Sequence, residues 1–416
     1  MTQATFLITA LGSYGDVHPM VGLGAALQAR GHRAAIISNP HFQSLIESMG
    51  LEFLPLGTAE QYHELAHHPD LWNPMKGPLL IMRLMAQSLR ELYDIIDANV
   101  IAGETVLGAH CLDFASRIHH DKHGTPLASI FFAPMGLRSF HQSPQMFRML
   151  MQPWLPKWFR RFQFWLADKF VDYLVARQIN ALRQDLGLSA VKRVLHEWYF
   201  SPQMVLGLFP SWFGPPQPDW PLNTHVTGFP LWDEAASAKL SPQLSEFLKA
   251  GSPPLVFAPG SANTDAAWFF NAAAEACQKL GRRGILLSRY SAHIPQSLPP
   301  SVIHCEFVPF SQLLPRAAAL VHHGGIGTCA QGLAAGVPQI VMPMAYDQLD
   351  NASRLKRLGV ADSLSPKNFT GTNLTHVLGK LLATPSVQER AQHWSAEVKS
   401  QDALTETCVE LEKLTP

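Results

Sequence analysis

Short apolar runs alternate with helical periods from the start of the chain. Residues 5–11 form an apolar run closed by Gly12, 19–30 carry a helical spacing ended by Gly31, 34–38 form a second strand, 41–49 a helix before Gly50, and 51–56 a third strand. That β-α-β-α-β alternation predicts a parallel sheet with right-handed crossovers. Residues 106–109 and 127–133 continue the sheet, with a helix between them ending near His123 and Gly124. A long helical stretch over 79–100 intervenes, and 134–186 breaks the spacing altogether.

This second interruption is aromatic and methionine-rich: Phe140, Met146, Phe147, Met149, Met151, Trp154, Trp158, Phe159, Phe162, Phe164 and Trp165. Such side chains pack adaptably around irregular apolar ligands, or build an ordinary helical core. A strand at 205–209 leads into Pro210, Pro215, Pro216, Pro218 and Pro221, a stiff boundary. A second alternating series follows, with strands at 255–258, 284–288, 302–308, 320–323 and 338–343 and a helix at 266–280. The expected architecture is α/β: residues 1–221 and 222–395 as two Rossmann-like domains, their parallel sheets facing a central cleft. The apolar insertion occupies about 135–186 of the first domain, and a C-terminal helix within 396–416 braces the two.

Composition narrows the class. The chain has 416 residues, 47% hydrophobic and 15% charged, with formal net charge zero. That length favours two cores, and the balance fits a well-buried globular protein without the basic stripe that nucleic acid requires. Cys111, Cys277, Cys305, Cys329 and Cys408 are scattered and odd in number, the pattern of reduced thiols in a cytoplasmic protein. No signal peptide is evident after Met1, and no apolar run reaches ~18 residues, so a spanning helix is not expected.

Three glycines follow the strand at 320–323 in His322-His-Gly-Gly-Ile-Gly-Thr328. A glycine-rich turn opening a helix is an anion cradle, because its free N–H groups point at negative charge. Asp347 and Gln348 lie just past the next strand, and an acid beside an amide suits sugar hydroxyls. Pro259-Gly-Ser261 ends the first strand of the second series and offers either a plain turn or a phosphate contact by Ser261. Glu306-Phe-Val-Pro-Phe310 could wall a nucleobase. In the first half, Gly12-Ser-Tyr-Gly-Asp-Val-His-Pro19 is no dinucleotide fingerprint. Its Asp16 is either a helix N-cap or a carboxylate that takes a proton from an attacking hydroxyl. His110, at the end of the fourth strand, is a candidate neighbour that orients Asp16. No metal site is expected: His67-His68 and His119-His120-x-x-His123 lack accompanying acids or cysteines and read as solvated surface histidines.

Gly12-Ser-x-Gly-Asp-Val-x-Pro19, Pro259-Gly-Ser261, Phe307-Val-Pro309, His322-His-Gly-Gly-x-Gly-Thr328, Gly336-Val-Pro338 and Asp347-Gln348 together resemble family 1 glycosyltransferases of the GT-B fold. Leu71-Trp-Asn-Pro74, Ser201-Pro-Gln203, Phe209-Pro-x-Trp-Phe213, Pro215-Pro-Gln-x-Asp-Trp-Pro221 and Thr227-Gly-Phe-Pro-Leu231 resemble, more narrowly, the rhamnosyltransferases of rhamnolipid biosynthesis. The resemblance implies inverting, metal-independent transfer from a nucleoside-diphosphate sugar, dTDP-L-rhamnose, to a hydroxyl of a 3-(3-hydroxyalkanoyloxy)alkanoic acid, with no further cofactor. The first domain then binds the acceptor and the second the nucleotide sugar. Asp16 is the implied base, although many plant relatives place a histidine there, and His18 is not its substitute. His323, Gly325, Gly327 and Thr328 fall on positions that hold the diphosphate, with Ser261 opposite and Ser13 from the first domain. Asp347 and Gln348 fall on donor-sugar positions, and Val308 reads the pyrimidine through its backbone. His110, Phe131, Met135, Phe140, Met146, Met149 and Trp154 are the candidate acceptor pocket. A UDP-sugar enzyme acting on a polyketide, sterol or aromatic aglycone, and a non-catalytic lipid-binding or partner subunit, are the competing readings. Peripheral contact with the inner membrane through 154–162, and pairing with the acyltransferase that makes the lipid acceptor, are further expectations.

Overall fold

A computed structural model describes residues 3–146, 152, 154–236 and 240–415. The chain divides into two units, Met1–Pro230 with Asp402–Pro416, and Leu231–Gln401. In the first unit seven parallel strands stand in the order β3-β2-β1-β4-β5-β6-β7. They are β1 Thr5–Thr9, β2 Arg33–Ser38, β3 Glu52–Pro55, β4 Thr105–His110, β5 Leu127–Phe131, β6 Met204–Gly207 and β7 Thr224–Val226. The central strands β1, β4 and β5 are buried at every position. Continuous apolar runs of that kind are what a parallel sheet covered on both faces selects.

The second unit carries six parallel strands in the order β10-β9-β8-β11-β12-β13. These are β8 Leu255–Ala258, β9 Gly284–Leu287, β10 Val302–Cys305, β11 Ala319–His322, β12 Gln339–Val341 and β13 Ala361–Ser363. Its core joins strand residues such as Phe257, Leu286 and Val321 to Phe269, Phe270 and Ala273 of the Ala267–Leu280 helix. In both sheets the first strand lies between its successor and the fourth, so strand order reverses at β1/β4 and at β8/β11. Open α/β sheets bind ligands at the carboxyl ends of the strands beside such a reversal.

Several boundaries differ from the sequence expectation. The join falls at Pro230/Leu231, nine residues past the expected boundary, because Thr224–Val226 pairs with Val205–Gly207 as a seventh strand of the first sheet. The proline-rich stretch therefore lies within the first unit, where Phe209, Phe213 and Trp220 are buried. The final helical pattern is two helices, Pro385–Lys399 in the second unit and Ala403–Glu412 in the first. The last helix is tied to its unit by Glu412, which accepts from Arg30 Nε at 2.6 Å and lies 3.1 Å from His32 Nε2, and by Thr407, 2.7 Å from Thr227. Met149, Phe147 and Met151 of the expected insertion lie outside the described residues.

Candidate active site

The helix after β1 is Tyr14–Ala29, five residues earlier than its apolar spacing predicts. Ser13 is its N-cap and Asp16 its third residue, so Asp16 is not the cap residue itself. Its Oδ2 instead accepts the Ser13 N–H at 2.8 Å and the Ser13 hydroxyl at 3.2 Å. Gly12, at φ +127°, makes room for this, since a Cβ there would overlap Asp16 Oδ2. The other oxygen, Oδ1, faces His110 Nε2 at 3.6 Å, and the Asp16 side chain keeps 35% exposure. The carboxylate thus closes the helix start through Oδ2 and leaves Oδ1 facing His110.

His110 ends β4, the strand beside β1 at the point of reversal. Burial opposes a charge on its ring, but the Cys111 sulfur and the Asp16 carboxylate outweigh that penalty and push it up to about 10. The Leu112 N–H donates to Nδ1 at 3.2 Å and favours an unprotonated Nδ1. That bond requires the neutral ring and so opposes the charge, but the neutral tautomer it selects and the charged ring both carry a proton on Nε2, the nitrogen aimed at Asp16. Asp113 holds this corner in place: it accepts from Thr9 Oγ1 at 2.9 Å and from Ser116 Oγ at 2.6 Å, while Thr9 accepts the His110 N–H at 2.8 Å. Burial raises the Asp113 carboxyl against these bonds. Sequence reading missed Asp113, whose only local signal is its place at a strand-helix corner.

The expected acceptor residues scatter. Phe131 is sealed in the core, and the ring meeting His110, at 5.3 Å between centroids, is Phe132. A strand alternates faces, so one step of register separates the two. Met135 and Met146 are half-buried, and Trp154 is 77% exposed. Phe140 lines a cavity of about 250 Å³ with Leu137, Phe164, Leu195, Trp220 and Pro221, and Arg138 and Asp219 are its charged members. Arg138 lies over the Phe164 ring at 5.1 Å and pairs with buried Asp168 at 2.7 Å.

In the second unit, β11 delivers its glycine turn to the Ile326–Ala335 helix, whose N-cap is Gly325. Gly327 and Thr328 therefore lie in the first turn of that helix. The turn's two histidines separate in role. His322 is fully buried, 2.9 Å from Gln339 Oε1 through Nε2, and accepts the Gly324 N–H through Nδ1 at 3.1 Å. Burial lowers it to about 3, so it is a neutral structural link. Burial likewise lowers His323 to about 4, against a hydrogen bond to the Ala258 backbone. Its ring fills the space left by two glycines: a Cβ on Gly325 would lie 2.6 Å from Nε2, and one on Gly260 3.1 Å from the ring. Pairing of β8 with β11 thereby brings the exposed Ser261 turn beside His323.

Asp347 precedes the Gln348–Leu358 helix, after Tyr346 at φ +57°, a left-handed conformation strained for a tyrosine. Gln348 is only 2% exposed, and its Oε1 accepts the Met344 and Ala345 N–H groups at 2.8 and 3.2 Å. Its carbonyl is therefore committed to the turn. Asn351, to which sequence reading assigned no role, connects the parts: Nδ2 donates to Gly324 O at 3.0 Å and to Asp347 Oδ2 at 2.7 Å. Val308 is buried, behind the partly exposed Phe307 that Arg289 covers at 5.2 Å.

One sequence expectation is corrected outright. His119 is buried rather than solvated, and an acid does accompany it: Asp97 reaches both His119 and His123 from the preceding helix. Burial lowers His119 to about 4. The whole of β4 separates Asp97 from the histidines in sequence, so no local spacing reveals the cluster.

Comparisons with known proteins agree with the two-sheet fold. Residues 6–142 match the model of the glycosyltransferase family 28 N-terminal domain, and 285–414 that of the erythromycin biosynthesis protein CIII-like C-terminal domain. The chain is 28% identical over 433 aligned positions to an O-mycaminosyltylonolide 6-deoxyallosyltransferase of Streptomyces fradiae, covering 98% of this chain and 96% of that one. Among solved structures, the glycotransferase of kitacinnamycin superposes with TM-score 0.78 at 21% identity over the full length of both chains. The spinosyn rhamnosyltransferase SpnG complexed with thymidine diphosphate superposes with TM-score 0.66 at 18% identity, over 96% of this chain and 97% of that one. With a glycosyltransferase model matched in the first half, glycosyltransferase relatives and structures aligned along nearly the whole chain, and two parallel sheets each opening polar loops at a strand reversal, the chain is a glycosyltransferase of the GT-B type.

Proposed function

We propose that the chain is an inverting, metal-independent glycosyltransferase that moves L-rhamnose from dTDP-L-rhamnose to a hydroxyl of a 3-(3-hydroxyalkanoyloxy)alkanoic acid, forming a mono-rhamnolipid. The observation that carries the reaction type is Asp16 Oδ1, partly exposed at a sheet reversal and facing the buried His110. The acceptor hydroxyl gives its proton to Oδ1 as its oxygen bonds to the anomeric carbon from the face opposite the diphosphate. The bond from that carbon to the phosphate oxygen breaks, and the diphosphate leaves with the electron pair. A free alcohol is a far weaker acid than a carboxylic acid, so proton transfer accompanies C–O bond formation. The cradle N–H groups with His323 take up the charge developing on the leaving group, the task metals perform elsewhere.

A thymidine donor draws support from SpnG, whose solved complex holds thymidine diphosphate. A lipid acceptor draws support from the first unit, where Leu137, Phe140, Phe164 and Leu195 give apolar walls to a cavity whose other walls are polar, Arg138, His196 and Asp219 among them. The acyltransferase that esterifies two hydroxy acids would supply this acceptor. A second reading, an aglycone acceptor, is favoured by relatives named for tylonolide and kitacinnamycin glycosylation. Mass spectrometry of products separates them. dTDP-L-rhamnose with the hydroxyacyloxy acid is expected to give the mono-rhamnosyl adduct, and product only from UDP-glucose or with macrolide aglycones would overturn the lipid reading.

The same reading gives the Lys157–Val171 helix a place at a bilayer. Among the described residues, Trp158, Phe162, Trp165, Leu166 and Phe170 form an exposed row, with Trp154 before it and Tyr173 after it. Lys157, Arg161, Lys169 and Arg177 are exposed along the same segment, whereas its acids, Asp168 and Asp172, are not. Aromatics flanked by cations suit the headgroup region of anionic lipid. No helix among the described residues is long and apolar enough to cross a membrane. The protein is expected to sediment with phosphatidylglycerol vesicles at low salt and to be released at high salt. Trp158→Ala with Trp165→Ala should abolish sedimentation, and equal recovery on neutral vesicles would exclude the electrostatic part.

A further inference from the structure

The structure assembles one cluster that the transfer reaction does not use. His119 and His123 sit one turn apart on the Ala115–His123 helix, and Asp97 faces them from the Leu89–Asn99 helix packed alongside. Asp97 Oδ1 lies 3.3 Å from His119 Nε2 and 3.4 Å from His123 Nε2, and the three ligand atoms all fall within 4.8 Å of one another. A tetrahedral ion with bonds of about 2.0–2.1 Å to nitrogen and oxygen has ligand-to-ligand edges of about 3.3 Å. The chain therefore holds its carboxylate at the spacing such an ion demands from both imidazoles.

We propose that Asp97 Oδ1, His119 Nε2 and His123 Nε2 form a binding site for a divalent transition metal, Zn²⁺ being the ion whose geometry fits. Two imidazoles and one carboxylate with open positions for water are a recurrent zinc donor set. The i,i+4 histidine pair is presented on one helix face, so two of the three ligands come pre-positioned. The ion would clasp two helices whose mutual packing is otherwise made by apolar side chains such as Ile96 and Ile118. Because the Ala115–His123 helix runs back from the carboxyl end of β4, His119 and His123 lie toward the sheet edge opposite His110. This site is thus separate from the transfer chemistry, and the proposal does not depend on the sugar or acceptor.

Two features moderate the affinity. Tyr93 Oη lies 3.3 Å from His123 Nε2 and competes for the lone pair a metal would take. His119 Nδ1 is buried with no hydrogen-bond partner, so it has no outer acceptor to orient the ring. Loss of such an outer partner typically weakens metal binding about 10–100-fold.

Zn²⁺ titration of the full chain without an affinity tag, in competition with a chromogenic chelator, tests the site. One equivalent of Zn²⁺ is expected to bind and to raise the thermal midpoint. That equivalent should weaken at least tenfold in Asp97→Asn and in His123→Gln, both partly exposed positions where folding should survive. His67→Gln, on an exposed histidine elsewhere, should leave it unchanged. Co²⁺ should give the intense visible band of a tetrahedral ion in the native chain and in His67→Gln, and lose it in the other two variants. Equal Zn²⁺ affinity in all four proteins, or no bound equivalent in the native chain, would overturn the proposal.

Discussion

Asp16→Asn is expected to slow glycosyl transfer by about 10²–10⁴-fold, the contribution of a well-placed general base, while nucleotide-sugar affinity stays within a few-fold. Asparagine is the informative replacement because its amide oxygen can still accept the Ser13 N–H that Oδ2 now accepts at 2.8 Å, so the helix start should persist. What disappears is the basicity of Oδ1, the oxygen facing His110. Single-turnover rates with calorimetric donor binding would separate the two, and undiminished turnover would remove Asp16 from the chemistry. His110→Ala provides the companion measurement. The folded-state value of His110 is raised to about 10 from an ordinary value of 6.5. Its proton therefore favours the fold most fully below pH 6.5, and that contribution is lost as pH climbs through about 10. An alkaline limb near pH 10 in the native rate profile should be absent from His110→Ala, and superimposable profiles would exclude a positioning role.

Strands and the two chemical loops are legible in the sequence for the same reason. Parallel strands buried on both faces are continuous apolar runs, and the loops at their carboxyl ends must contain glycines where side chains crowd. Gly12 gives way to Asp16, and Gly260 and Gly325 give way to His323. Both crowding patterns leave a mark in the residue string. The edge strands Thr224–Val226 and Ala361–Ser363 leave almost none, since each is three residues long and only partly buried or exposed. Side-chain direction is also hidden. Phe131 and Phe132 look equivalent in sequence, but register turns the first into the core and the second toward His110. Asn351 and Asp97 depend on partners 27 and 22 or more positions away, and such contacts become visible only once helices are packed. The glycine turns are therefore the more readable part, being built largely from local sequence, whereas the surroundings of His110 and Phe132 depend on tertiary packing.

His323→Ala carries the second large expected effect, a loss of about 10²–10³-fold in kcat/KM, the scale on which one preorganised donor to a developing negative charge acts. Burial holds the ring neutral in the free protein, lowered to about 4, with its N–H bonded to the Ala258 backbone, so the ring donates to a diphosphate only once its other nitrogen is protonated. A group lowered on folding binds fewer protons folded than unfolded between its two values. Its contribution is therefore lost from stability as pH falls from 6.5 toward 4. A diphosphate placed against the ring reverses the preference, because nearby negative charge favours the protonated form. Nucleotide binding should then take up protons at mildly acidic pH, and native affinity for thymidine diphosphate should rise as pH falls from about 7 to about 5. Titration of the nucleotide's own phosphate contributes equally to native and variant proteins, so the difference between their slopes isolates His323. That difference should vanish in His323→Ala, and His323→Gln, which keeps a neutral N–H donor, should restore part of the rate without restoring the slope. A structural ring that merely fills the space between Gly260 and Gly325 would behave otherwise: the alanine variant would lose stability but keep the native pH slope of binding.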